Sequence, residues 1–84
     1  MPKNQAKYNV ADNALLLLIG NNIKYLRLKN NKSQKQCAAY LDLTPSTFSR
    51  IESGLQATDV LTVKKLCDFL NCKPNDLYTK ELVK

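Results

Sequence analysis

Leu16, Ile19, Ile23 and Leu26 recur at the i, i+3, i+7, i+10 spacing of one helix face, which predicts a helix from Asp12 to Lys29. Asp12 suits its N-cap, and Asn30-Asn31-Lys32 stops it. A shorter pattern follows. Ser33 can cap a helix from Gln34 to about Tyr40, with Gln36 completing a capping box and Cys37, Ala38 and Leu41 facing inward. Small Ala38 lets a neighbouring helix approach closely. Asp42 stands where the chain must turn sharply, and aspartate tolerates the left-handed backbone, though less well than glycine.

Thr44-Pro45 opens a third helix, with threonine as N-cap and proline at the first helical position, where its missing N–H costs nothing. Phe48 and Ile51 point inward, Leu43 and Leu55 are expected to close the two ends, and Gly54 terminates the helix near Ser53. The opposite side is a stripe of Ser46, Ser49, Arg50 and Ser53. Thr58 or Asp59 caps a fourth helix to about Leu70, with Leu61, Leu66, Phe69 and Leu70 as expected core contacts beside Val63 and Cys67. Asn71 is a suitable left-handed end for it. Pro74 begins a short fifth helix that returns Leu77 to the core, with Tyr78 as a further candidate. The chain therefore divides into a flexible N-terminal arm (1–11), one domain (12–78) and a C-terminal tail (79–84) containing Leu82 and Val83. Five helices with short loops make an all-α bundle.

The third helix is shallow and polar on its outer face and propped on an apolar partner, a shape that fits DNA's major groove. Composition agrees. At 84 residues, 44% apolar and 24% charged, the chain has room for one core and is not disordered in character. A net charge of +6 favours a polyanionic partner.

Other chemistries find little support. Cys37, Cys67 and Cys72 are odd in number, form no CxxC pair and occupy apolar helical positions, so they read as small buried hydrophobes in a reducing, cytoplasmic setting. Without a histidine, no zinc-ligand set is expected, and no cofactor. There is no paired-carboxylate constellation, phosphate loop or Cys-His arrangement either, so no enzyme and no small-molecule substrate are expected. Leu15–Ile19 falls far short of the ~20 residues of a membrane span. Asp12 and the want of a small-residue cleavage site also argue against a signal sequence.

From Ile19 to Tyr78 the chain resembles the helix-turn-helix domain of the phage repressor and Cro-like (XRE-type) regulators. The resemblance is carried by Ile23, Leu26 and Arg27, then Ser33-Gln34, Ala38, Leu43-Thr44, Phe48 to Glu52, and Gly54. Leu61 to Leu70 and Pro74-Asn75-Asp76-Leu77 extend it. It implies a lambda-repressor-like fold whose third helix, about 45–53, is the recognition helix of a double-stranded DNA-binding transcriptional regulator of bacterial or phage type, such as a repressor.

Carried over to this sequence, Ser46 and Arg50 become the candidates for reading bases, Arg50 through the fork geometry that suits guanine. Thr44, Pro45, Ser49 and Ser53 would lie close to bases or sugar-phosphate. Gln34, with neighbouring N–H groups and charge from Lys35 and Lys32, would clasp a phosphate. Arg27 and Glu52 match a pair that bridges the first helix to the end of the recognition helix.

Two departures stand out. Leu55-Gln56-Ala57-Thr58 is neutral where the family offers basic residues, leaving backbone N–H groups or Gln56 to meet the phosphates. Asp42 replaces the usual glycine of the turn. Leu15, Leu17 and Leu18 are apolar area surplus to the first helix's core face, buried either by the arm or in a homodimer. In a homodimer, two recognition helices would meet successive major-groove turns about 34 Å apart. The rival reading is an antitoxin-like module, in which the apolar first helix or the tail holds a partner protein such as a toxin and DNA binding is secondary.

Overall fold

Five helices run through residues 9–79, the part of the chain that this computed structural model describes. They are α1 (Val10–Lys29), α2 (Gln34–Tyr40), α3 (Pro45–Glu52), α4 (Val60–Leu70) and α5 (Pro74–Tyr78). Expectations for Leu82 and Val83, and for most of the arm, fall outside these residues.

Helix α1 starts earlier than the sequence suggested. Asn9 is its N-cap, and Asp12 is the third residue of a capping box. The Asn9 side chain accepts from the Asp12 N–H at 2.8 Å, and the Asp12 carboxylate accepts from the Asn9 N–H at 3.2 Å. Either residue type caps well; the reciprocal pair is satisfied only with asparagine outside. The same box forms at α2 between Ser33 and Gln36, and Thr44 and Asp59 cap α3 and α4 through their side chains.

Helix ends share one device. Asn31, Asp42 and Asn71 adopt φ near +57°, and Gly54 adopts +75°. At the first two and at Gly54, paired bonds close a Schellman motif: Lys32 to Arg27 (3.0 Å), Leu43 to Ala38 (2.8 Å) and Leu55 to Arg50 (2.9 Å), each N–H to carbonyl. Such a motif gains most when its outer residue meets an apolar one on the last turn. Leu43 does so against Ala38 and is packed on the core. Leu55 has Arg50 in that place and stays 63% exposed, so it does not close the end of α3.

The core comprises Ile23, Cys37, Ala38, Leu41, Phe48, Ile51, Val63, Leu66, Cys67, Leu70 and Leu77. Leu61 is absent from it, at 72% exposed. Val63, Leu66, Cys67 and Leu70 already define α4's inner face at helical spacing, and a residue two before Val63 lies on the far side. Helix α1 packs on α3 and α5, α2 on α3 and α4, and α4 on α5. Two asparagines tie these layers. Buried Asn22 donates to the Leu77 carbonyl at 3.1 Å, and Asn30 donates to the carbonyls of Leu26 (2.7 Å) and Leu70 (3.1 Å). No helix of the described residues is long and apolar enough to cross a membrane.

Cys37 and Cys67 are buried and Cys72 half-buried, all as free thiols. Burial pushes Cys37 up to about 11. Burial, then a hydrogen bond with Cys72, pushes Cys67 up to about 12. Alkylation at mildly alkaline pH is therefore expected to reach Cys72 first, and the other two only after unfolding. Labelling of Cys37 in native buffer as fast as in denaturant would contradict this. The unfolded thiols ionise near 9.0, so this contribution to stability is complete below that pH and declines as pH rises towards 11 to 12.

Candidate nucleic-acid interface

Helices α2 and α3, with the turn between them, form a helix-turn-helix. Asp42 at φ +58° bends the chain, and Thr44 then starts α3 by accepting the Thr47 N–H at 3.1 Å. The Thr44 hydroxyl also donates to that of Thr47 (2.9 Å), a link the sequence reading missed. Phe48, Ile51 and Glu52 are buried, which fixes the face turned outward. That face carries Ser46, Arg50 and Ser53, all exposed, with Ser49 half-buried at its edge and Thr44 and Pro45 exposed at its start. Lys35 is exposed on α2 and Gln34 half-buried. The Lys32 ammonium is drawn over the Phe69 ring, 4.8 Å from its centre.

Glu52 joins three helices. Its carboxylate takes Arg27 Nε at 2.5 Å and Nη2 at 3.2 Å, a two-pronged pair with both side chains nearly buried. The Arg27 Nη1 donates to the Lys32 carbonyl at 2.9 Å. The Gln34 amide donates to Glu52 Oε1 at 2.9 Å, so part of its donor capacity is spent inside the protein. Both Glu52 oxygens and all three guanidinium nitrogens of Arg27 thus have a partner, the condition under which such a pair is tolerated.

Close by, Gly20 brings α1 against the last turn of α3 with no side chain between them. A Cβ there would lie 2.4 Å from the Glu52 carbonyl oxygen and 2.7 Å from that of Ile51. This glycine gave no signal in the sequence, because its need arises only from the crossing. Leu17 lies against Gly54, where a Cβ would come within 2.8 Å of its Cδ2. Leu15 and Leu17 are 45% and 50% exposed, and Leu18 is half-buried.

After Gly54 the chain folds back, and Arg50 Nε donates to Gln56 Oε1 at 3.3 Å. Gln56 is half-buried beside a cavity of about 170 Å³ lined by Leu16, Ile19, Ile51, Val63 and Tyr78. Among the described residues, no carboxylate pairs with Arg50, and no group of His, Cys, Asp and Glu could hold a metal ion.

Comparisons with known proteins fit this geometry. A family model described as helix-turn-helix, HTH_3, matches residues 23–77. The restriction-modification controller protein C.AhdI from Aeromonas hydrophila superposes with a TM-score of 0.71 at 26% identity, over 77% of this chain and 98% of its own. The SOS-response transcriptional repressor LexA from Eubacterium rectale gives 0.75 at 21% identity, over 84% and 76%. The clp gene regulator ClgR from Corynebacterium glutamicum gives 0.72 at 17%, over 75% and 67%. These last two show the shared fold. Among curated proteins no relative matches the chain. With the family model spanning both helices of the motif and the core beneath them, the chain belongs to the HTH_3 family of XRE-type helix-turn-helix proteins, which are DNA-binding transcription regulators.

Proposed function

We propose that this protein is a sequence-specific, double-stranded DNA-binding repressor-type regulator of bacterial or phage kind, with α3 lying in the major groove. The observation that carries the reading is the outer face of α3: short hydroxyls around a single arginine whose charge no carboxylate compensates. Ser46 and Arg50 read base edges in this arrangement. Thr44, Pro45, Ser49 and Ser53 flank them against bases and sugar-phosphate. Gln34, through its remaining amide N–H, and Lys35 take a phosphate, and Gln56 stands at the opposite end of the helix. Arg27 and Glu52 hold α3 at its angle.

Half-exposed Leu15 and Leu17, with Leu18 beside them, favour a homodimer formed through α1. The neutral loop after Gly54 makes for few phosphate contacts and so a shallow salt dependence.

Selection of bound duplexes from a random pool at about 0.15 M ionic strength tests the reading. An inverted repeat with half-sites about one helical turn apart is the expected product. A lone half-site would remove the dimer. No enriched sequence would overturn the reading and turn attention to a protein partner, such as a toxin, on the apolar face of α1. On the selected site, Arg50→Ala is expected to cost about 1–3 kcal/mol of binding and to relax one base position. Unchanged affinity in a filter or fluorescence titration would show that the readout face is misassigned.

A further inference from the structure

We propose that Gln56 is a positioning residue for Arg50, fixing the plane of its guanidinium so that one edge is left to recognise a single guanine. The proposal rests on the assignment of Arg50 to base readout.

Three observations place Gln56 for this. The Schellman closure at Gly54, with the Leu55 N–H on the Arg50 carbonyl at 2.9 Å, brings the next residue back alongside Arg50. Gln56 is half-buried and lines the cavity bounded by α1, α3, α4 and α5, so the residue sits against the body of the domain while its amide meets Arg50. That amide accepts the Arg50 Nε–H at 3.3 Å. Arginine only donates, so the oxygen of the amide has to face it.

The chemistry follows from how a guanidinium meets guanine. O6 and N7 require two parallel N–H donors, and arginine offers two such edges, Nε with one Nη or the pair of Nη groups. With Nε engaged by Gln56, the edge left for a base is the Nη pair. A neutral acceptor does this without cancelling the charge, as a carboxylate would. Unanchored, an exposed arginine can present either edge or swing to a phosphate, and discrimination suffers while overall attraction remains. The neutral loop after α3 thus has a use besides holding the DNA backbone.

The test compares duplex selections, on the full chain, for the wild type and for Arg50→Ala, Gln56→Ala, Gln56→Met and Gln56→Glu. Affinity for a scrambled duplex is measured alongside. Arg50→Ala is expected to erase a guanine preference at one position of the site. Gln56→Ala and Gln56→Met should weaken the preference at that same position by about three- to tenfold, the range of one net hydrogen bond, and by more than they lower affinity for the scrambled duplex. Methionine keeps the stem without an acceptor, which separates positioning from packing. Glutamate accepts the same N–H and should keep the preference, while its charge lowers affinity for the selected and the scrambled duplex alike.

Retention of the preference in Gln56→Met would overturn the proposal. So would an equal loss of binding to all sequences in Gln56→Ala, which would mark a phosphate contact instead. Should Arg50→Ala itself erase no preference, the readout assignment would fall, and the proposal with it.

Discussion

Glu52→Ala is expected to lower stability by about 3–5 kcal/mol, the usual result of removing one partner from a buried ion pair. The loss comes from what is left behind. Arg27 would keep only its bond to the Lys32 carbonyl, and its side chain, 9% exposed, would have no countercharge. The Gln34 amide would lose its acceptor too. A domain of this size holds roughly 4–11 kcal/mol in all, so the loss is a large share of the total. Urea denaturation followed by circular dichroism measures this directly. Replacing both charges, as in Arg27→Met with Glu52→Leu, should recover most of the loss, because the desolvation of two ions is removed along with their attraction. A shift in Glu52→Ala below about 1 kcal/mol would mean that water reaches Arg27 as it reaches surface pairs.

Gly20→Ala sets two effects against each other. In an isolated helix, alanine would be better than glycine by about 1 kcal/mol. At this crossing the added Cβ meets two backbone carbonyl oxygens, at 2.4 Å and 2.7 Å, and neither can rotate away as a side-chain tip would. Overpacking of this kind costs about 1–3 kcal/mol, and the contact with backbone puts Gly20 at the upper end. The steric effect wins, so the expected net change is a loss of about 1–2 kcal/mol, seen as a lower thermal midpoint. A raised midpoint would show that α1 and α3 do not touch there. DNA affinity should fall further than the lost folded fraction explains, since relief of the clash tilts the helix that carries Arg50.

What the sequence disclosed was mostly local. Ser33 with Gln36, Thr44 with Pro45, and the left-handed stops at Asp42, Gly54 and Asn71 are each specified by neighbours within a turn, and each is found where expected. The opening of α1 was misplaced because Asn9 and Asp12 can each play either part in a box. Leu55 and Leu61 were misjudged because hydrophobicity alone does not say which way a loop or a first turn points. Gly20 and Asn22 were silent, since their roles depend on what crosses them.

The site divides in the same way. The stripe on α3 was legible from helical spacing. The approach of Arg27 to Glu52, 25 residues apart in the chain, could be anticipated only through a family resemblance. The bonds from Gln34 to Glu52 and from Arg50 to Gln56 appear only once the loops are folded.

The outward residues of α3 are decoupled from what holds the helix in place. The mount is built from Phe48, Ile51, Glu52 and the carbonyls facing Gly20, whereas the side chains of Ser46, Ser49 and Ser53 form no hydrogen bond within the described protein. On the proposed reading of this face, new target preferences can arise by substitution at those three serines with little penalty in folding. Under that proposal, a lineage carrying this scaffold is free to drift in the sequence it recognises while the architecture beneath stays constrained, much as a lock can be rekeyed without replacing the door.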